Sequence, residues 1–426
     1  MLKLALNERK NGQAAALGLQ HLLAMYSGSI LVPILIANAL HYTPQQLTYL
    51  ISTDIFMCGI ATFLQLQLNR YFGIGLPVVL GVAFQSVAPL SLIGAKHGSG
   101  AIFGSIIVSG LFVVLISGFF SKIRRFFPPL VTGSVITVIG LTLIPVAMGN
   151  IGNNQTPADL KSLGLAALTI LIILLIQFLT TGFLRSISVL IGLTIGTLVA
   201  ACFGMVDTSV ISQAPTFHLP TPFFFGAPKF ELTSIIMMII IAMVSMVEST
   251  GVYLALADIT VQNLSQKQLR NGYRAEGLAV LLGGIFNTFP YTGFSQNVGL
   301  VQLSGIRSRR PIFFTALFLV ILGLIPKFGA TAQLIPSPVL GGGMLVLFGI
   351  VAIQGVRMLS QVDFENEHNL LIAGFSIAIG LGFNSASGLF DNLPTNLQMF
   401  ISNGIVMTSI TAILLNSIFN RSKKHT

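Results

Sequence analysis

Glu248 lies in the run Met243-Val-Ser-Met-Val-Glu-Ser-Thr-Gly251, deep in a long apolar stretch with no basic residue near it in sequence. A carboxyl group at that depth is costly to place and marks a functional site by default. It can carry a proton or accept hydrogen bonds from a bound solute, or else it bonds a neighbouring helix or a freed backbone amide. Gln20 and His21 stand at the corresponding place in the first apolar stretch. There a histidine either titrates or holds a backbone carbonyl. Other chemistries lack their residues: the sequence has no GxxxxGK[ST] loop to bind ATP, no Cys/His cluster to bind a metal cofactor, and no nucleophile-base pair at depth for an intramembrane enzyme.

The elements that must hold these groups are membrane helices. Of 426 residues 54% are hydrophobic and 8% charged, against about 25% charged in a soluble domain. So few charges cannot coat a water-facing surface. Apolar blocks approach the roughly 20 residues that a helix needs to cross a bilayer. Fourteen stretches are expected, at 16–37, 47–68, 76–93, 101–120, 130–149, 163–183, 186–204, 233–257, 274–290, 294–304, 311–325, 338–355, 369–384 and 398–418. The first block has no evident cleavage site and is expected to remain as a span.

With both termini in the cytoplasm, all but four of the 22 Lys and Arg residues fall on inner loops, the outer ones being Lys96, Lys161, Lys229 and Lys327. Losing one span would invert every later loop and destroy that bias. The net charge of +10 thus anchors loops beside anionic lipid; no clustered basic face suggests nucleic acid. Cys58 and Cys202 both fall in expected spans and read as small buried side chains rather than a disulfide or metal site.

The third and tenth stretches are short and broken, one by Gly75, Pro77, Gly81 and Pro89, the other by Gly283, Gly284, Pro290, Gly293 and Gly299. They lie seven stretches apart. A unit of seven spans repeats upside down, the inverted-repeat plan of many secondary transporters. Broken backbone at membrane depth needs protein or a water-filled cavity around it, so these two segments are expected to form the substrate site.

The run Phe294-Ser-Gln-Asn-Val-Gly-Leu-Val-Gln-Leu-Ser-Gly305 resembles the signature of the nucleobase/ascorbate transporter family, Q/E-N-x-G-x-x-x-x-T-R/K/G. Gln296, Asn297, Gly299 and Gly305 match, and Ser304 keeps the hydroxyl of the usual threonine. Gln20-His21, Glu248-Ser-Thr-Gly and the acidic Glu276, twenty positions before Gln296, fall where the family has its own. The resemblance covers essentially the whole chain. It implies an all-α polytopic fold of fourteen segments in two inverted repeats of seven, with short strands in segments three and ten. Residues 1–125 and 233–325 would form a core domain, and 126–232 and 326–426 a gate domain.

The resemblance further implies that Glu248 and Gln296 bond the base through their side chains. The strand around Phe84, Gln85 and Ser86 would give backbone groups and a stacking wall, and Ser295 would border the base. Asn297 would brace the tenth segment, with Glu276, His21 and Gln20 in supporting or proton-linked roles. Val252 stands where many relatives carry Asp or His and Ser86 where some carry an aromatic residue, which leaves proton coupling to Glu248. A base with alternating C=O and N-H groups needs an acceptor and a donor opposite its edge, and a carboxylate with a carboxamide supplies both. Relatives with Gln at this position resemble importers of xanthine or urate, whereas Glu goes with pyrimidines. The expectation is a homodimeric, proton-coupled purine importer of the cell membrane working by alternating access. A uracil permease and an anion exchanger of the same architecture are the alternatives.

Overall fold

Hydrocarbon offers no hydrogen bonds, so each apolar stretch satisfies its amides within its own helix. The computed structural model describes residues 11–120, 126–153, 155 and 157–420. Its first half comprises α1 (Asn11–Ser29), α2 (Leu31–Ala39), α3 (Pro44–Leu66), β1 (Leu80–Val82), α4 (Val87–His97), α5 (Ser99–Ile116), α6 (Pro129–Ile151), α7 (Leu160–Leu179) and α8 (Ser188–Cys202). The second comprises α9 (Leu232–Thr260), α10 (Gln266–Ile285), β2 (Tyr291–Gly293), α11 (Ser295–Ser304), α12 (Arg310–Gly323), α13 (Ser337–Leu359), α14 (Glu367–Ser385) and α15 (Gly404–Phe419). Short helical turns join them.

Among the described residues seven helices are long and apolar enough to cross a bilayer, with α1 and α2 counted together, and two bent pairs raise the number to nine. The α1–α2 break at Ile30 precedes Pro33, which has no N-H to donate to the Ser29 carbonyl. Each of the fourteen expected stretches overlaps a helix, though several are too short to count as spans by length. Lys3, Arg9, Lys10, Lys122, Arg124, Arg125, Arg421, Lys423 and Lys424, half of the inner-loop basic residues, lie outside the described residues. Cys58 is buried, but Cys202, the last residue of α8, is exposed and so is not the buried side chain expected.

The helices meet through glycines, which let backbones approach closely. A Cβ at Gly110 of α5 would sit 2.4 Å from the Leu281 nitrogen of α10, and one at Gly323 of α12 would sit 2.4 Å from the Phe56 nitrogen of α3. By order in the two halves these are equivalent pairs, the fourth stretch with the ninth and the eleventh with the second. α6 and α13, the fifth and twelfth, pack on each other, with Gly140 against Ala352 and Gly355 against Thr137. The helices α3 and α10 also start alike: Thr43 with Gln46, and Ser265 with Gln268, form reciprocal capping boxes.

The two breaks join in one antiparallel pair, with Leu80 opposite Gly293, Gly81 opposite Thr292 and Val82 opposite Tyr291. Ala83 N-H donates to the Pro290 carbonyl at 2.9 Å and Phe294 N-H to the Val79 carbonyl at 2.9 Å. Side chains complete the ladder: the Leu80 amide donates to Thr62 Oγ1 at 3.1 Å and the Gly293 amide to Ser249 Oγ at 2.9 Å. This two-stranded piece, buried on all sides, sets the level at which α4 and α11 begin.

Candidate substrate site

The strands end, and the following helices begin, beside Glu248. α9 brings the carboxylate to the middle of its 29 residues. Glu248 Oε2 accepts from Gln85 Nε2 at 2.9 Å and from Thr292 Oγ1 at 3.3 Å. Gln85 Nε2 also donates to Ser245 Oγ at 2.9 Å, one turn back on α9. Ser249 Oγ lies 3.0 Å from Thr292 Oγ1. Among the described residues no Lys or Arg lines this cleft. Instead, polar hydrogens and the N-terminal turn of α11, whose partial positive charge suits an anion, surround the carboxylate. Oε1 of Glu248 makes no hydrogen bond among the described residues and is free for a ligand.

The cleft is narrow, its roughly 440 Å³ of empty space including the open solvent at its mouth. Phe84 and Phe294, one from each break, supply its aromatic surface. Gly28 on α1 makes room for the Phe294 ring, since a Cβ there would lie 2.9 Å from Phe294 Cζ, and it also borders Phe84. Gln296 and Ser295 enter at the start of α11, with Ser295 Oγ donating to Gln296 Oε1 at 3.3 Å. The opposite wall is apolar, from Ile136 and Ile139 of α6 and Val351 of α13, except for Gln354. One turn from Val351, Phe348 meets Phe84 edge to face at a ring separation of 5.9 Å.

Of the residues singled out in the sequence, Glu248, Gln296, Phe84, Gln85 and Ser295 line this cleft. The expected strand lies earlier than 84–86, at Leu80–Val82, and Phe84–Ser86 form a single 3-10 turn. The chain must tighten there to enter α4: both the Ser86 amide and its Oγ donate to the Ala83 carbonyl. Gln85 therefore offers its side chain rather than its backbone, and Ser86 is fully buried outside the cleft. Asn297 Nδ2 donates to the His21 carbonyl at 3.3 Å, tying α11 to α1. The His21 ring is buried with both nitrogens unpartnered among the described residues, and neither it nor Gln20 reaches the cleft. Glu276 borders a separate small cavity that also touches Ser245, and accepts from Tyr253 Oη at 2.8 Å.

Sequence reading missed Thr292, Ser245 and Gln354. The two hydroxyls had a signal, since Ser245 stands one helical turn before Glu248 and Thr292 in the broken segment; Gln354 had only its polarity in an apolar helix.

Membrane-length helices in two inverted halves, meeting in a strand pair beside a polar cleft, are the architecture of a membrane transporter. Residues 12–387 match a family model described as the permease family, Xan_ur_permease. The chain belongs to the nucleobase/ascorbate transporter family. It is 52% identical over 412 residues to the xanthine permease of Bacillus subtilis (strain 168), covering 96% of this chain and 94% of that protein. It is also 52% identical over 411 residues to the uric acid permease PucK of the same organism, covering 96% and 95%. Among solved structures it is similar in fold to the transmembrane domain of a cyanobacterial bicarbonate transporter, BicA, with a TM-score of 0.60 at 15% identity over 95% of this chain and 97% of that one.

Proposed function

We propose that this permease imports an oxidised purine, xanthine or urate, in symport with H⁺. The observation that carries the reading is the convergence of Glu248, with one oxygen free, and Gln296 on one cleft floored by two phenylalanine rings. A flat base slides against the rings, gives an N-H to the Glu248 carboxylate and pairs C=O and N-H groups with the Gln296 carboxamide. Analogues lacking those edges leave buried polar groups unpaired and are rejected; adenine and cytosine are such analogues. The names of the two Bacillus relatives support a purine substrate.

Glu248 carries the proton, Val252 being unable to. The core, residues 1–125 and 233–325, carries the site past a more static gate, residues 126–232 and 326–426, by rigid-body alternating access. We further propose a homodimer in the plasma membrane with both termini cytoplasmic. The same fold in a bicarbonate transporter raises an anion-exchange reading, against which stands a carboxylate with no cation in the cleft. A uracil permease is the second alternative, and Gln296 in place of Glu speaks against it.

Purified protein in vesicles with an acidic exterior and alkaline interior decides among these. Labelled xanthine or urate is expected to accumulate above equilibrium and unmodified, with uracil and guanine as weaker competitors. Uptake that ignores the pH gradient but follows a Na⁺ gradient removes H⁺ coupling; uptake of bicarbonate or sulfate and not of xanthine removes the purine reading.

A further inference from the structure

A second cavity lies away from the strand pair, between the end of α5 and the first turns of α10. It holds about 660 Å³ of empty space, open solvent at its mouth included, and is bordered by Ser117, Gly118, Gln266, Lys267, Arg270 and Tyr273. Its electrostatics are unusual. The N-terminal turn of a helix carries partial positive charge and favours acids, yet the first turn of α10 has no acidic residue and Lys267 and Arg270 follow at once. Arg274, one turn further, donates from Nε to Ser117 Oγ at 3.3 Å. None of these three cations is in an ion pair: among the described residues the only one within 4.0 Å joins His97 to Glu231. Arg270 Nε is moreover buried without a hydrogen-bond partner among the described residues, and a buried donor left unmatched costs desolvation energy that a bound acceptor would recover.

We propose that this cavity binds a phosphate oxyanion, and that its occupant is the headgroup of an anionic glycerophospholipid. Helix amides, an ammonium and a guanidinium are the donors that phosphate oxygens select. The lipid source follows from what adjoins the cavity. Leu111 and Leu115, one turn apart on α5, are 45% and 70% exposed, and Phe119 beside Gly118 is 61% exposed. They form an apolar stripe along which acyl chains can run while the headgroup sits among the cations. The positive-inside count puts this end in the cytoplasm, where basic pockets between helices meet anionic headgroups. None of these residues borders the base cleft, so the inference stands apart from the transport reading.

The test uses the full chain with fluorescent phosphatidylglycerol and phosphatidylcholine. Wild type is expected to hold phosphatidylglycerol about tenfold more tightly, the size of one charge-assisted hydrogen bond. Arg270→Gln is expected to bring the ratio to near unity while xanthine uptake in phosphatidylcholine vesicles stays as in wild type. Gly118→Leu keeps every cation and sets a bulky side chain into the cavity, where a Cβ meets Arg270 Cδ at 3.8 Å; it should lose the preference too. In a second arm, glycerol 1-phosphate is added at millimolar concentration to lipid-stripped protein. Protection from thermal unfolding that Arg270→Gln abolishes, without phosphatidylglycerol preference, keeps the oxyanion site and overturns the lipid assignment. Equal retention of both lipids by wild type and both variants, with no response to glycerol phosphate, overturns the site.

Discussion

The two breaks share a backbone plan and differ in what they do with a carboxamide. In the first half the chain leaves β1, turns at Phe84–Ser86 and begins α4; in the second it leaves β2 and begins α11 at once. Each places a phenylalanine in the cleft and a glutamine next to or near it. Gln85 is spent inside the protein, bridging Ser245 and Glu248, whereas among the described residues Gln296 bonds only its neighbour Ser295. Duplication thus supplies two similar arms, and the extra turn in the first points its amide at α9. One arm fixes the carboxylate; in the proposed function the other meets the base.

That difference can be broken from the carboxylate outward. The largest effect is expected for Glu248→Gln, which removes the negative charge that both arms meet and leaves a neutral amide: concentrative xanthine uptake should fall by about 10- to 100-fold, the cost of a lost charge-assisted hydrogen bond. Near-normal accumulation would take Glu248 out of transport. Gln85→Leu leaves Glu248 held by Thr292 alone and should cost about tenfold in uptake, with the ranking of competing bases unchanged. Gln296→Glu should do the reverse, keeping uptake measurable but moving inhibition away from xanthine toward uracil; an unchanged competition profile in that variant would equalise the two arms. Gln354→Leu, on the opposite wall, is expected to raise the xanthine KM about fivefold, one neutral hydrogen bond.

A contrast of packing reinforces the same division. α6 and α13 lie against each other through Gly140 and Gly355, with no broken backbone at their contact, and face the cleft mainly with isoleucine and valine. Of the two walls, the one built from both breaks carries nearly all the polar groups. Gly140→Val sets a side chain where even a Cβ would be 2.4 Å from the Ala352 nitrogen. It should lower thermal stability by several degrees, consistent with overpacking costs of about 1–3 kcal/mol, as read by scanning fluorimetry.

The sequence located the breaks because Gly and Pro announce where a helix cannot continue, and located Glu248 because a lone charge in an apolar run has no solvent to explain it. The family signature then brought Gln296 and Asn297. What it could not supply is side-chain direction. The family resemblance implies a strand around residues 84–86, but hydrogen bonds of Ser86 to Ala83 wind them into a turn and Gln85 reaches α9. His21 and Gly28 show the converse: the polar residue drew attention, while the glycine two turns later is what brings α1 against the rings. Gln354 was hidden because one amide in a helix of Val, Ile and Gly has no periodic partner, and its place opposite Gln296 exists only once α13 packs on α6.

Equilibrium binding of labelled xanthine to purified wild-type, Glu248→Gln and Gln296→Ala proteins tests most directly whether these two side chains read one ligand. The expected result is wild-type binding that urate displaces, with affinity lowered about tenfold or more in each variant. Unaltered xanthine affinity in both variants would contradict it.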